Sequence, residues 1–144
     1  MLMDHATIGK VLLVSNQIDE LSRVAVFVEE LGEEWGFSMP LVFSLDLVLE
    51  EALTNIISYG YDDEIRHMIE IHFTKSGDQL SITIIDDGHE YDPTLKADPD
   101  ITLPAEDRQI GGLGIFLIKK TMDTVEYHRT QNRNYLILTK NIKS

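Results

Sequence analysis

An α+β fold, an antiparallel-rich sheet with helices on one face, is predicted by three features of this 144-residue chain. Apolar residues alternate in two closely spaced pairs of runs, as hairpins require. Two consecutive segments instead carry the 3.6-residue period of amphipathic helices. The resulting order is strand, two helices, two strands, long loop, helix, two strands. Strands and helices that come in runs, without strict alternation, favour helices segregated to one side of a sheet.

Each element has a local reason. Residues 9 to 14 (GKVLLV) read as a short first strand. From Ile18 to Trp35, Leu21, Val24, Ala25, Val28, Leu31 and Trp35 fall at helical spacing opposite a charged face, and Gly36 and Pro40 punctuate the end. A second helix runs from about Leu41 to Tyr59 on the stripe Leu45, Leu49, Ala52 and Ile56. Ile69, Ile71 and Phe73, then Leu80, Ile82 and Ile84, alternate about the turn Lys75-Ser76-Gly77-Asp78. Periodicity stops between Asp86 and Gln109, a segment with Pro93, Pro99, Pro104, eight acids and only Lys96 and Arg108 as bases. Loops of this length inside a domain are usually functional or mobile. A glycine run then opens a helix to about Met122, and strands near Val125 to Thr130 and Tyr135 to Lys140 flank the turn Gln131-Asn132-Arg133-Asn134.

The bulk numbers narrow the function. The formal charge is −13, from 12 Lys and Arg against 25 Asp and Glu. Direct nucleic-acid binding is therefore not expected, because it needs a cationic face. The absence of cysteine excludes disulfides and thiol chemistry and fits a reducing compartment. No signal-peptide layout opens the chain, and no apolar run reaches the roughly 20 residues that cross a bilayer. A cytoplasmic protein without a membrane partner is the expectation. The five histidines lack metal-site spacing, and Trp35 and the methionines fit core filling.

Three constellations carry chemistry. In EEALTN, Glu51 and Asn55 stand four residues apart, on one side of the second helix at the edge of its apolar stripe. An amide oxygen there suits Mg²⁺ and a carboxylate can take a proton, although two polar residues bordering a core look the same. In SITIIDDGHEYDP a strand ends at Asp86, and Gly88 permits a tight turn. A carboxylate fixed at a strand end can accept from an exocyclic amine, although Asp-Gly turns are common. In IGGLGIFLIKKTMD, Gly111, Gly112 and Gly114 strip side chains from a helix N-terminus. Backbone N–H groups there can meet an anion, although a plain loop would also use glycine.

Taken together and in this order, the three motifs resemble those of the GHKL ATPases, the Bergerat-fold superfamily. Within it the likeness is to the small anti-sigma factors that are also serine-protein kinases of bacterial partner-switching systems. EEALTNIISYGY is similar to their N box, IIDDGHEYDP to their first glycine box and IGGLGIFLIKKTMD to their second, so that the resemblance spans roughly residues 9 to 141. It implies one histidine-kinase-like ATPase domain over residues 1–144. The domain would be a two-layer α/β sandwich with a mixed, mostly antiparallel sheet and helices on one face.

The resemblance also implies roles. Glu51 matches the general base, Asn55 the Mg²⁺-coordinating residue, and Asp86 the carboxylate that reads the adenine amine, with Gly88 beside it. Gly112 and Gly114 match glycines that admit the phosphates of ATP or ADP, and Gly111 precedes them. The segment from about Thr94 to Ile110 matches the lid, and Arg108 within it is placed to reach a γ-phosphate. In one departure, Glu90 occupies the second glycine position of the first glycine box. A side chain and a charge there would narrow the nucleotide pocket or alter the lid's hinge.

The implied activity is phosphorylation of an anti-sigma antagonist of STAS type, with capture of a sigma factor or another effector, and a homodimer belongs to the same expectation. The alternative is a nucleotide-gated partner-binding module without phosphoryl transfer. The ATP-binding half of a sensor histidine kinase is disfavoured, since no helix with a phosphorylatable histidine precedes the domain.

Overall fold

A computed structural model describes residues 7–95 and 112–143. The first strand, β1 (Thr7–Ser15), leads through a 3-10 turn at Ile18–Glu20 into α1 (Leu21–Trp35). Gly36 ends α1 in the left-handed region at φ 75°, and the N–H groups of Gly36 and Phe37 both reach the Gly32 carbonyl. This is a Schellman-type stop, which glycine makes without a Cβ penalty. The next helix, α2 (Met39–Tyr59), starts two residues earlier than its apolar stripe suggests. Ser38 sets that start: its hydroxyl accepts from the Leu41 N–H at 3.3 Å, and Pro40 sits in the first turn.

The remaining elements are β2 (Met68–Ser76), β3 (Gln79–Asp86), α3 (Gly112–Thr121), β4 (Thr124–Thr130) and β5 (Arg133–Asn141). A short 3-10 turn at Pro93–Leu95 follows β3. The five strands form one sheet in the order β1-β2-β3-β5-β4. Every neighbouring pair is antiparallel, so the mixed sheet expected above is corrected to a purely antiparallel one among the described residues. The reason is that β3 and β4 run in the same direction without touching, because β5 folds back between them.

The β4–β5 connection also differs from expectation. Thr130 pairs with Arg133, so the turn is only Gln131-Asn132, both at positive φ (52° and 62°). That is the two-residue turn whose twist matches the strands it joins. Arg133 and Asn134 therefore belong to β5, and Asn134 comes to lie opposite Asp86.

The core lies between the sheet and the helices. Ile69, Ile71 and Phe73 of β2 and Leu80, Ile82 and Ile84 of β3 are all essentially inaccessible. Each such side chain contributes about 1.5–3 kcal/mol on burial. Val48 and Leu53 join Leu45, Leu49 and Ala52 in burial, so α2 is apolar around more of its circumference than one stripe. It packs against both α1 and α3 as well as the sheet. Met122 is buried, whereas Met39 and Met68 are exposed, so core filling is corrected for those two methionines. The sheet face away from the helices carries Val11, Leu13 and Met68, each about half exposed.

Candidate functional site

Where α2, the end of β3 and the start of α3 meet, a cleft opens, lined by residues that include Asn55, Asp86, Ile115, Tyr127 and Asn134. Its wall is mainly apolar (Ala52, Ile56, Leu136) with a few convergent polar groups, as small-molecule sites are built.

The α2 wall supplies the first pair. Asn55 lines the cleft, and among the described residues its amide makes no hydrogen bond. Glu51, one turn earlier, lies against α3: a Cβ added to Gly114 would stand 2.5 Å from its Oε2. Glycine at position 114 leaves that space to the Glu51 carboxylate. Gly114 thus leaves the first turn of α3 without a side chain where it faces Glu51.

Asp86 is the buried member, only 4% exposed at the end of β3. Its Oδ1 accepts from the Gly88 N–H at 2.8 Å and from Asn134 Nδ2 at 2.9 Å. Burial pushes its carboxyl above the usual Asp range, and those two hydrogen bonds oppose the shift. Gly88 is also closely packed. A Cβ there would meet the Gly60 carbonyl at 2.6 Å, and His89 N–H donates to that same carbonyl at 2.8 Å. The turn after β3 is thus laced to the end of α2.

Of the residues singled out in the sequence, Asn55 and Asp86 line the cleft, Glu51 and Gly114 meet each other beside the lining residues Ala52 and Ile115, Gly88 packs on Gly60 next to Asp86, and Gly112 opens α3. Arg108, Gly111 and nearly all of the lid from Thr94 to Ile110 lie outside the described residues. Its described beginning, Thr94-Leu95, is tied back by the Asp92 carboxylate, which accepts from the Thr94 N–H and hydroxyl. Glu90 is exposed and faces an outer groove beside Asp87 and Arg129, away from the cleft lining. The sequence reading missed Tyr127, Arg129 and Asn134. Asn134 carried a usable signal, a polar residue in register with inward-facing Leu136 and Leu138, but placing it in the turn concealed it.

The outer groove holds a second polar group. His67 is hydrogen-bonded at both ring nitrogens to carboxylates that accept, Nε2 to Asp63 at 2.9 Å and Nδ1 to Asp87 at 3.2 Å, and it stacks on Tyr61. The hydrogen bonds to Asp63 and then Asp87 raise its pKa above the ordinary histidine value, and the same contact lowers that of Asp63. A raised histidine contributes stability that is fully present below about pH 6.5 and is lost as pH rises through the folded-state pKa. Asp63, being lowered, contributes above about pH 3.9 and loses its part as pH falls through its own folded-state pKa. The clamp on the 60–67 loop should therefore be firmest in mildly acidic solution and loosen above neutrality. Histidine-ring NMR with amide exchange across about pH 5–9 brackets the ordinary histidine range and checks this; an unshifted His67 titration would contradict it.

The chain is also similar to known proteins in family and fold. The family model described as the histidine kinase-like ATPase domain matches residues 14–140. The serine/threonine-protein kinase BtrW of Bordetella bronchiseptica is 35% identical over 111 residues, covering 76% of this chain and 75% of that protein. The serine-protein kinase RsbW of Listeria monocytogenes is 29% identical over 111 residues, covering 74% and 70%. Among solved structures, the RsbU and RsbW domains of a Mycobacterium tuberculosis protein superpose with a TM-score of 0.63 at 11% identity. That superposition covers 94% of this chain but 32% of the longer one, and shows the fold alone. With its fold, its cleft and these relatives, the chain belongs to the histidine kinase-like ATPase domain family, among the protein serine/threonine kinases.

Proposed function

We propose that the chain is an ATP- and Mg²⁺-dependent protein serine/threonine kinase and anti-sigma-type regulator. Its substrate is an anti-sigma antagonist domain of STAS type, and it sequesters a sigma factor or another effector once that antagonist is phosphorylated. The observation that carries the reading is that Asn55 and Asp86 line one cleft while Glu51 meets Gly114 next to the lining residues Ala52 and Ile115. The family supports ATP as the ligand, and glycine at position 114 keeps a side chain off the start of α3.

Asp86 reads the base through Oδ2, the oxygen that Asn134 and Gly88 leave open. Asn55 would hold Mg²⁺ through its amide oxygen, and the ion would supply neutralisation of phosphate charge. Among the described residues no group of three or more His, Asp or Glu gathers as a metal cage. One protein oxygen plus phosphates suits Mg²⁺, which keeps few protein ligands. Glu51 takes the proton of the partner's hydroxyl, and the α3 N-terminus bears charge on the transferred group. Arg108 and Gly111 belong to the same proposal as γ-phosphate and cradle residues, and residues 94–110 as the lid over one domain spanning 1–144.

A cytoplasmic location and a homodimer complete the reading. The half-exposed Val11, Leu13 and Met68 on the open sheet face support the dimer. No helix among the described residues is long and apolar enough to cross a membrane.

The direct test is labelled ATP with antagonist domains encoded nearby, scoring transfer to protein. Two variants sharpen it. Asn55→Ala should remove most of the Mg²⁺-dependent part of nucleotide affinity, and calorimetry with equal affinity with and without Mg²⁺ in mutant and wild type would defeat the metal role. Gly114→Ala should separate fold from activity. Alanine favours a helix by about 1 kcal/mol over glycine, and Glu51 can swing away, so the melting temperature should hold or rise. Displacing that carboxylate should still slow transfer by about tenfold or more, the cost of misplacing a catalytic group by an ångström or so. A fully active Gly114→Ala would show that Glu51 need not sit where it does.

A further inference from the structure

We propose that Asn134 is a positioning residue for base selection: its amide, locked by Tyr127 and Arg129, fixes Asp86 Oδ1 and leaves Oδ2 for a ligand. The inference rests on the reading of the cleft as a nucleotide site and names what sets its selectivity.

The amide of Asn134 is saturated in one orientation. Its Oδ1 accepts from the Tyr127 hydroxyl at 2.5 Å and from Arg129 Nη1 at 2.9 Å. Its Nδ2 donates to Asp86 Oδ1 at 2.9 Å and to the His89 carbonyl at 2.8 Å. A flipped amide would set donors against donors and an acceptor against acceptors, so the orientation is fixed by its neighbours. Arg129 also donates to the Gly88 carbonyl at 3.0 Å, which ties the same turn to β4. Asn134 is 6% exposed, so water does not replace these bonds cheaply.

Two consequences follow for Asp86. With Oδ1 held by Gly88 and Asn134, the oxygen left for a ligand is Oδ2. The donors also favour the charged form against burial, which disfavours it. The groups that act on Asp86 are Asp87 and the Gly88 N–H on its own segment, Arg129 on β4, Asn134 on β5 and Tyr61 before β2, while Tyr127 on β4 and the uncharged Asn55 on α2 share the cleft lining. Among these, Asn134 is the neutral side chain that donates to the carboxylate, and Asp87 pushes the other way. Protonation matters chemically: a carboxylate only accepts, so it selects an exocyclic amine, whereas a carboxylic acid also donates and tolerates a carbonyl.

Asn134→Leu removes the donor without adding charge. Asn134→Asp keeps the shape and the Tyr127 and Arg129 contacts but sets a second carboxylate against Asp86. Two carboxylates in one site take up a proton between them, with one apparent pKa strongly raised. Carboxyl ¹³C NMR of the ligand-free chain should show Asp86 titrating at higher pH in Asn134→Leu. In Asn134→Asp the pair should carry a proton near neutrality. Tyr127→Phe should move the titration less, in the same direction. Calorimetry should show the ATP-over-GTP preference falling by roughly tenfold or more in both Asn134 variants, the worth of a charge-assisted hydrogen bond. The wild-type to Asn134→Leu affinity ratio for ATP should grow as pH falls, and the phosphate ionisation of the nucleotide cancels in that ratio.

An Asp86 titration unmoved in every variant, even with lowered melting temperatures, would reduce Asn134 to a structural residue and overturn the proposal. A moved titration with an unchanged ATP-over-GTP preference would overturn the selectivity role. If the wild type binds no adenine nucleotide, the reading of the cleft falls, while the ligand-free titration still decides whether Asn134 governs Asp86. Should Asn134→Leu fail to fold, the isosteric Asn134→Asp and the milder Tyr127→Phe carry the same test.

Discussion

Glu51→Gln should lower phosphoryl transfer to a partner serine or threonine by about 10²-fold or more, the usual worth of a positioned general base. Glutamine keeps the size and the contact with Gly114, so α2 and α3 should pack as before. Nucleotide affinity should change little, because Asn55, Asp86 and the α3 backbone are untouched. Partner binding should also survive, leaving a stalled complex of kinase, nucleotide and unphosphorylated antagonist. One labelled-ATP gel and one pull-down read both quantities. Transfer at the wild-type rate in Glu51→Gln would take Glu51 out of the chemistry. A wild type that binds its partner only with ATP, yet never transfers phosphate, would favour the nucleotide-gated module.

Asp86→Asn should cost ATP affinity about 10- to 100-fold, since the atom left for a ligand changes from an acceptor to a donor. The same change suits a carbonyl, so GTP should gain on ATP. Stability should move the other way. Burial raises the Asp86 pKa, and an acid with a raised folded-state pKa loses stability as pH climbs through that value. At neutral pH the wild-type chain therefore bears a cost that the amide does not. The side-chain carbonyl of the introduced amide can still accept from Gly88 and Asn134, so the variant should melt at the same or a higher temperature. Calorimetry with both nucleotides and a thermal melt at neutral pH check the pair of expectations. A destabilised variant with unaltered ATP binding would mean that Asp86 is structural.

Much of the site was legible because its parts are local. Glu51 and Asn55 share a side of α2 through helical spacing, and Asp86-Asp87-Gly88 announces a turn at the end of an alternating run. The glycines before α3 signalled a bare helix start. Legibility failed where two distant segments meet. Asn134 was read as part of a turn because Gln131-Asn132-Arg133-Asn134 has turn composition throughout. Only the two-residue hairpin at positive φ moves it into β5 and onto the inward face. Tyr127 and Arg129 become site residues through that same register. Arg108 and the lid beyond Leu95 fall outside the described residues.

The sequence by itself determined the element list, the helical pairing of Glu51 with Asn55, the turn at Gly88 and the acidic surface. These depend on periods of two or 3.6 residues and on turn chemistry, all of which act over a few neighbours. Only the tertiary structure decided that β5 lies between β3 and β4, that Asn134 reaches Asp86 from 48 residues away, and that Glu51 fills the space beside Gly114. The physical reason is that strand register and helix packing are settled by which surfaces bury one another across the core. No local period records which donor will then face a buried carboxylate.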